Sequence, residues 1–276
     1  MLEATSISER RACALVGLSR DSWRHPPRRA ERDQATSQRI VELAHERRRF
    51  GYRRIGDLLR AAGTKINDKR VYRLYKLADL SVRKRRGKQR LKLERVPLHE
   101  CQTINAVWSM DFVSDCLASG RRIKCLTVTD DFSHECVDIA VDHGMGGEYV
   151  VRVLDQVARF RGYPQAVRTD QGPEFTSRAF MAWAQAKGVR HILNQPGKPT
   201  QNAYIESFNG KFRDECLNEH WFQSLKQARI EIARWRTDYN EVRPHSSCGR
   251  MPPAKFAAQH RRAISGAVPA PHKTQE

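Results

Sequence analysis

Apolar residues recur at helical spacing through the first part of the chain. Residues 6–23 predict two short helices, the first starting at Ser8 and the second capped by Ser19, with a turn at Gly17 between them. Three longer helices are predicted next. Their apolar positions are Ile40, Leu43 and Ala44 in the first, Ile55, Leu58 and Leu59 in the second, and Val71, Leu74, Tyr75 and Ala78 in the third. The pattern predicts an all-α, helix-turn-helix-like region over residues 1–82.

From about residue 106 the pattern becomes that of strands. Residues 107–114, 123–129 and 135–141 are strand-like runs joined by short connections, as in an antiparallel meander. A helix, a strand, a second helix and a second strand are then predicted over residues 148–161, 165–169, 177–187 and 189–193. This order predicts an α/β fold with a mixed five-stranded sheet and helices on its faces.

The carboxyl-terminal third is predicted to be mostly helical. A loop rich in Pro, Gly and Asn over residues 194–201 precedes a helix that begins near Asn202. A long helix is predicted over residues 221–239, with Ser224 placed as a cap, and the polar, Pro-rich residues 259–276 are predicted to be disordered. The predicted organisation is a helical region, a basic linker, an α/β core with a carboxyl-terminal helix, and a tail, over residues 1–82, 83–100, 101–258 and 259–276.

Positive charge is concentrated in the amino-terminal third. The formal net charge is +19. Residues 1–100 hold 27 Lys or Arg against 12 Asp or Glu, a net charge of +15, which leaves +4 for residues 101–276. Nucleic acid and an anionic membrane are both suitable partners for such a charge. The asymmetry favours nucleic acid over an ordinary solvated surface, because solvated surfaces usually mix charges of both signs.

Other features of the composition bear on the location of the protein. The sequence contains no run of 18 or more apolar residues and no signal segment, so we expect no part of it to span or cross a membrane. Its seven cysteines include no CxxC pair, which favours reduced thiols and no zinc finger. A cytoplasmic location is therefore expected.

One helix of the amino-terminal region presents a row of cations. We expect Asn67 to cap this helix, whose apolar residues form one face, while Lys69, Arg70, Arg73 and Lys76 occupy the other face. A recognition helix presents cations to phosphates and base edges in this way. These four residues are predicted to contact DNA, and an ordinary solvated helix is the alternative.

A second group of cations follows in the basic linker. The run RKRRGKQR has no periodic apolar residues, which fits a segment lying along a phosphate backbone, since phosphate contact requires charge rather than structure. Its predicted DNA contacts are Arg83, Lys84, Arg85 and Arg86. A plain solvated linker is the alternative.

Three acidic residues occupy positions that ordinary packing does not explain. Asp111 lies within an apolar strand, although aspartate is depleted in strands. Asp170 ends the strand AVRTD, at the carboxyl edge where α/β sheets place ligands. Glu206 lies on a predicted helix, one turn after its start. Hard divalent cations prefer carboxylate oxygens, and two magnesium ions about 4 Å apart can promote phosphodiester cleavage.

The segments around these acids resemble a known family. WSMDFV, RTDQGPEF and NAYIESFNGKFRDEC resemble the three catalytic blocks of bacterial insertion-sequence transposases related to retroviral integrases. Between Asp170 and Glu206 lie 35 residues, which is the family's second catalytic interval. The order, the flanking residues and the interval together make this resemblance specific.

The resemblance extends beyond the acids, over roughly residues 6–258. FGYRRIGDLLR resembles the amino-terminal part of the second-frame (OrfB) product, and DYNEVRPHSS resembles its carboxyl-terminal block. Cys248 stands where the family usually has a leucine.

The family resemblance implies an RNase H-like core that binds two Mg²⁺ or Mn²⁺ ions. Asp111, Asp170 and Glu206 would be both the catalytic residues and the metal ligands. Asp111 and Asp170 would coordinate both ions or one each, and Glu206 would hold the second. Water and then a DNA 3′-hydroxyl would attack in line, without a covalent protein intermediate. The substrates would be the transposon ends and target DNA, at the bacterial nucleoid.

The resemblance also implies protein partners. In this family an upstream frame supplies an end-recognising helix-turn-helix and a coiled coil, joined to the catalytic part by ribosomal frameshifting. The present sequence begins at the second-frame block and shows no heptad repeat. We therefore expect the upstream-frame product as a partner, in some molecules as a frameshift fusion, and a homo-oligomer on DNA, because both ends must meet in one complex.

Two other functions stay open on the sequence alone. The first is a non-catalytic DNA-binding protein, and the intact acidic triad argues against this alternative. The second is a general RNase H-like nuclease, and the basic amino-terminal region argues against it. The role of Arg213, seven positions after Glu206, is also open. It is predicted either to contact DNA near the metals or to pair with Glu174 or Asp214.

Overall fold

The computed structural model describes residues 7–24, 29–82, 101–194 and 203–266. The chain divides into two compact units, Met1–Arg86 and Gly87–Glu276. The predicted basic linker, and all but the first residue of the predicted loop over 194–201, lie outside the described residues. Within the described ranges, no helix is both long and apolar enough to cross a membrane.

The amino-terminal unit is helical, as predicted. Its described helices are α1 (Glu9–Leu15), α2 (Arg20–Arg24), α3 (Arg29–Glu46), α4 (Tyr52–Ala61) and α5 (Asp68–Leu77). Ser8 precedes α1, Gly17 adopts a positive φ of 65° in the turn that follows, and the Ser19 hydroxyl accepts a hydrogen bond in the first turn of α2. The Asn67 side chain accepts the N–H of Arg70, which starts α5 as its sequence predicts.

An apolar core holds α3, α4 and α5 together. Most residues of the predicted helical stripes are buried in it, Ala44 and Leu58 are partly buried against it, and the Tyr75 hydroxyl donates to the Phe50 carbonyl at 3.4 Å. The core consists of Ile40, Leu43, Phe50, Ile55, Leu59, Ile66, Val71, Leu74 and Tyr75. Burial of these side chains is the main source of stability for this unit.

The second unit is built on a five-stranded sheet of order β3-β2-β1-β4-β5. Its strands are β1 (Val107–Cys116), β2 (Arg122–Asp130), β3 (Cys136–Asp142), β4 (Ala166–Thr169) and β5 (Arg190–Leu193). The first three strands form an antiparallel meander, and β4 and β5 run parallel to β1. This arrangement confirms the predicted mixed sheet.

Helices cover both faces of this sheet. They are α6 (Gly147–Arg161), α7 (Arg178–Ala186), α8 (Ala203–Glu215), α9 (Leu225–Glu241) and α10 (Pro253–Gly266). Side chains alternate along β1, so that Trp108 and Met110 pack in the core with α6 and α7, whereas Val113 packs in the core with α8 and α9. By the same alternation, Asp111 lies on the face covered by α8.

Two helix boundaries differ from the prediction. The long helix α9 begins at Leu225 rather than at residue 221, because the Ser224 hydroxyl accepts the N–H of Gln227 and caps the helix there. The helix α10 continues to Gly266, through the first part of the tail predicted to be disordered. Arg261 pairs with the buried Glu135 at 3.2 Å, a long-range contact that the local composition does not reveal.

Candidate active site

The structure brings the three predicted acids to one place on the sheet. Asp111 lies in the middle of β1, and the parallel pairing of Ser109 with Arg168 of β4 places Asp170 level with it, two residues further along. Glu206 lies in the first turn of α8, which packs on this face of the sheet. The charges of Asp170 and Glu206 both act on the Asp111 carboxylate, so the three groups are in electrostatic contact.

Hydrogen bonds hold the Asp111 carboxylate in place. Its Oδ1 accepts the backbone N–H of Phe112 at 2.7 Å, and its Oδ2 accepts the Nδ2 of Asn209 at 2.8 Å. The Thr127 hydroxyl on β2 lies 2.9 Å from Asn209 Oδ1, which orients the amide. Sequence reasoning noted Asn209 only as a neighbour of Glu206 on one helix face, because its contact with Asp111 depends on how α8 packs on β1.

Burial and charge both favour the neutral form of Asp111. Burial raises the pKa of this carboxyl above its ordinary value, and the negative charges of Asp170 and Glu206 act in the same direction. The Phe112 N–H and the Asn209 amide oppose this effect by stabilising the carboxylate. A cation shared by these groups would remove the repulsion, so the arrangement favours binding of either a proton or a metal ion.

The chemistry of these residues fits a hard divalent cation. Asp170 and Glu206 lie near enough to Asp111 for their charges to act on it, and carboxylate oxygens are the ligands that Mg²⁺ and Mn²⁺ prefer. In the part of the chain that is described, no three His, Cys, Asp or Glu side chains form a ready-made metal cage. The fit therefore rests on donor type and charge.

The loop after β4 approaches Asp170 closely at Gly172. The Gly172 N–H lies 3.1 Å from Asp170 Oδ1. A Cβ atom at this position would lie 3.1 Å from the same oxygen and 3.2 Å from Glu174 Oε2. A side chain at this position would therefore require one of these carboxylates to shift by a few tenths of an ångström.

Glu174 adds a fourth acid at the edge of this site. The Lys124 ammonium on β2 pairs with it, and the same Nζ lies 3.9 Å from the centroid of the Phe112 ring. Burial opposes ionisation of Glu174, but the hydrogen bond and the charge of Lys124, together with a backbone N–H, outweigh burial and lower the pKa of the carboxyl. A lysine within an apolar strand was the available sequence signal for this pair, and it was missed.

Arg213 lies beside the site but does not pair with Glu174. Its guanidinium donates to the Ser114 carbonyl of β1 at 2.9 Å, and the residue is exposed. The predicted pairing with Glu174 is wrong, because Lys124 occupies that acid. A DNA contact by Arg213 stays a prediction.

Two of the predicted DNA contacts on α5 are engaged within the protein. The guanidinium groups of Arg70 and Arg73 both bind Asp33 of α3, a buried residue, with Arg70 Nε 2.8 Å from Asp33 Oδ1. The hydrogen bond from Arg73 lowers the pKa of Asp33, with Arg70 acting in the same direction against burial. These arginines therefore link α5 to α3, whatever else they contact.

The other predicted DNA contacts have different surroundings. Lys69 and Lys76 on α5 are exposed, as their predicted role requires. The linker cations Arg83, Lys84, Arg85 and Arg86 lie outside the described residues.

The carboxyl-terminal motif DYNEVRPHSS anchors the end of α8. Arg243 is buried and makes a two-pronged ion pair with Glu215, the last residue of α8, with both N–O distances at 2.6 Å. Cys248, which stands where the family usually has leucine, is fully buried and its thiol lies 3.7 Å from the Ser133 carbonyl. The motif therefore has a structural role in holding the helix that carries Glu206.

Comparison with known families agrees with this architecture. Residues 102–199 and residues 187–253 each match a family model described as an integrase core domain. Residues 31–89 match one described as an HTH-like domain. These matches fall on the sheet with its helices and on the helical amino-terminal unit.

Known proteins resemble the chain over most of its length. A 39.2 kDa protein of insertion element IS476 from Xanthomonas euvesicatoria is 65% identical over 270 residues, which cover 98% of this chain and 78% of that protein. A 31.7 kDa protein of insertion element IS407 from Burkholderia multivorans is 61% identical, and the match covers 94% of each chain. The transposase for insertion sequence element IS904 from Lactococcus lactis is 27% identical over 84% of this chain and 97% of its own.

The fold is that of known integrases. A chain of the simian T-cell lymphotropic virus intasome, solved in complex with a regulatory subunit of PP2A, matches 86% of this chain and 79% of its own, with a TM-score of 0.54 and 14% identity. This likeness concerns the fold alone, which is RNase H-like. Together with the relatives at 61% and 65% identity, it leads to one conclusion. The chain belongs to the family of bacterial insertion-sequence transposases with an integrase core.

Proposed function

We propose that this protein cleaves DNA at the ends of its insertion sequence and joins those ends to other DNA by metal-dependent, in-line phosphoryl transfer. Asp111, Asp170 and Glu206 are the catalytic residues. The observation that carries this proposal is that Asp170 and Glu206 both act on the half-buried Asp111: burial raises the pKa of this carboxyl, and their two negative charges raise it further. Structural packing does not require such repulsion, whereas binding of a divalent cation would relieve it.

The same three residues would hold two Mg²⁺ or Mn²⁺ ions. Asp111 and Asp170 would coordinate both ions or one each, and Glu206 would hold the second. When bound, the ions supply the charge that activates the attacking oxygen and neutralises the leaving oxygen. The protein side chains orient that site: Asn209 and the Phe112 N–H fix Asp111, and Lys124 keeps Glu174 from adding a further uncompensated charge.

The test replaces each acid by its amide. Asp111→Asn, Asp170→Asn and Glu206→Gln remove a charged metal ligand with little change of shape, so each variant should lose end cleavage and strand transfer by at least about a thousandfold and keep its melting temperature. Cleavage of a terminal-repeat duplex with Mg²⁺ or Mn²⁺ measures the first quantity. Asp115→Asn, on the same strand but outside the triad, is the matched control and should stay active.

Other results would point to the alternative functions. Near-normal activity of any triad variant would remove that residue from the site. Binding to terminal repeats without cleavage, in the unaltered protein, would favour a non-catalytic DNA-binding protein. Degradation of RNA in hybrids, with no action on terminal repeats, would favour a general nuclease.

We further propose that recognition of the ends requires the upstream-frame product. Membership of the insertion-sequence family supports this proposal, because in that family an upstream frame supplies an end-recognising helix-turn-helix. A fusion should prefer terminal-repeat DNA over a scrambled duplex by about a hundredfold or more beyond the chain alone, and at least a dimer should form on paired ends. Competition binding at one salt concentration measures this. Strong preference by the isolated chain would move end recognition into residues 1–95.

A further inference from the structure

A cavity of about 480 Å³ lies beside the candidate active site. It is enclosed by the turn after β2, by α8 and by the segment between α9 and α10. Its lining includes Thr129, Asp131, His134, Tyr204, Ser207 and Lys211. The proposed catalytic reaction uses none of these side chains, although the volume is in the range of pockets that bind small organic groups.

The helix α8 separates this cavity from the catalytic acids. Glu206 and Asn209 lie on the side of α8 that serves Asp111, whereas the next residues on the helix surface, Ser207 and Lys211, line the cavity. In the sheet, the cavity residue Thr129 pairs with Ser109, two residues before Asp111 on β1, or about 7 Å along the strand. The cavity and the triad are therefore neighbours that share one helix.

The lining combines aromatic, hydroxyl and cationic groups. The rings of His134 and Tyr204 have centroids 5.5 Å apart, and Ser207, Ser246 and Ser247 contribute hydroxyls. Burial lowers the pKa of the His134 imidazole, and the nearby charge of Lys211 lowers it further. A wall of this kind fits a ligand with a flat ring and a negative charge.

The buried acids at the cavity do not cancel this preference. Asp131 pairs with Arg168 at 2.5 Å, and Asp130 with Arg161 at 3.3 Å, so both carboxylates have cationic partners. The Asp131 Oδ1 atom is nevertheless without a hydrogen bond of ordinary geometry among the described residues. This oxygen is buried from solvent, and the neighbouring Ser109 hydroxyl acts on the same carboxylate, so we assign Asp131 no contact with a ligand.

The backbone at the cavity is strained. His134 adopts a φ of +57°, a conformation that costs free energy for any residue other than glycine. The imidazole of this residue lies beside the Tyr204 ring at the cavity wall. Such conformations concentrate at binding sites, where the surrounding structure maintains them.

We propose that the cavity binds one unpaired nucleotide of the DNA substrate. The base stacks on the aromatic wall of His134 and Tyr204, its N–H groups meet the oxygen acceptors of the wall, and its phosphate lies near Lys211. This inference rests on the proposed function, which supplies the DNA. Because Ser207 and Glu206 are adjacent on α8, the bound nucleotide fixes the first turn of the helix, and DNA engagement is thereby coupled to the placement of Glu206.

Cysteine crosslinking tests this directly, because Cys101 lines the cavity. Every cysteine of the chain except Cys101 and Cys116 is buried. The protein is the full chain with Cys116→Ser, to leave one accessible thiol, and Glu206→Gln, so that no DNA is cut. The probes are a series of terminal-repeat duplexes, each with one unpaired nucleotide that carries a disulfide-activated tether. The position of the unpaired nucleotide differs from one duplex to the next.

The expected result is a mixed disulfide at Cys101 for one position of the unpaired nucleotide, in about tenfold higher yield than for the same tether on a paired nucleotide. Ser207→Trp should abolish the adduct by filling the cavity mouth, and Lys211→Ala should weaken it. Thr237→Trp and Lys226→Ala, exposed positions on α9, are matched controls and should leave it unchanged.

Equal yields from paired and unpaired probes, or an adduct insensitive to Ser207→Trp, would overturn the proposal. The outcome is independent of the catalytic proposal because crosslinking needs no cleavage. If the adduct forms but the unaltered protein cuts no DNA, the proposal for the cavity stands and the proposed reaction is wrong. If the unaltered protein cuts DNA but no adduct forms at any position, the proposed reaction stands and the proposal for the cavity is wrong.

Discussion

At the scale of single residues, the candidate site depends on how Asp111 is held. This carboxylate must be ionised to bind a metal, yet burial and two neighbouring acids raise its pKa. Asn209 donates a hydrogen bond to the ionised form and also prevents rotation of the carboxylate. The amide is thus a positioning residue, acting on the metal through Asp111.

Replacing Asn209 should therefore affect metal use before it affects folding. In Asn209→Ala, Asp111 loses its side-chain donor, so we expect about a 10- to 100-fold loss of cleavage activity and a higher metal concentration for half-maximal rate. A metal titration of end cleavage measures both. The control is Asn218→Ala, which replaces an exposed asparagine three residues after the end of α8. A rate loss without any change in the metal requirement would contradict the positioning role.

At the scale of elements, α8 connects three parts of the molecule. One row of its side chains packs in the core, a second faces Asp111 and β1, and a third lines the cavity. These rows are Ile205, Phe208 and Phe212; Glu206, Asn209 and Arg213; and Tyr204, Ser207 and Lys211. Because the three rows belong to one helix, any displacement of α8 changes the core packing, the contacts with Asp111 and β1, and the cavity wall together.

The anchor of α8 is the buried pair of Glu215 and Arg243. Arg243→Met removes the guanidinium from an ion pair whose two side chains are both buried, so we expect a loss of about 3 to 5 kcal/mol in the free energy of unfolding. Urea denaturation measures this loss.

Two comparison variants separate burial from charge in that experiment. Arg234→Met breaks an exposed pair with Glu231 and should cost no more than about 1 kcal/mol. Combining Arg243→Met with Glu215→Leu should recover much of the lost stability, because both charges of the buried pair are then replaced by apolar side chains. If Arg243→Met were as mild as Arg234→Met, the pair would not be the anchor.

At the scale of the whole molecule, the charge asymmetry should govern DNA affinity. Lys69 and Lys76 are exposed, and the basic linker adds further cations. If residues 1–95 neutralise about six phosphates, the logarithm of the binding constant should fall with the logarithm of salt concentration with a slope near −5. Non-specific duplex binding over a salt series measures this slope.

Substitution of the exposed lysines refines the test. Lys69→Ala together with Lys76→Ala should reduce the magnitude of the slope by about 2, or about 0.9 for each lost phosphate contact. Lys187→Ala with Lys226→Ala removes the same charge from the second unit and should change the slope much less. Equal slopes for the two double variants, or for a fragment from residue 100 onward, would show that the amino-terminal charge does not direct binding.

The sequence by itself determined the elements and the identity of the acids. Period-two alternation in β1 and helical periodicity in α5 depend on neighbours along the chain, as do the caps at Asn67 and Ser224. The spacing of 35 residues between Asp170 and Glu206 is likewise a property of the chain. Local rules were therefore sufficient for most of the strands and helices, whereas the candidate triad was identified through the resemblance of its flanking segments to a known family.

The tertiary structure alone decided which partners these residues have. Asn209 reaches Asp111 across 98 positions, and Lys124 reaches Glu174 across 50, because α8 and β2 pack beside β1. In the helical unit, the fold directs Arg70 and Arg73 to Asp33, although their spacing predicted a surface facing DNA. Contacts of this kind depend on how faces meet in three dimensions, and periodicity along the chain does not encode the position of a distant partner.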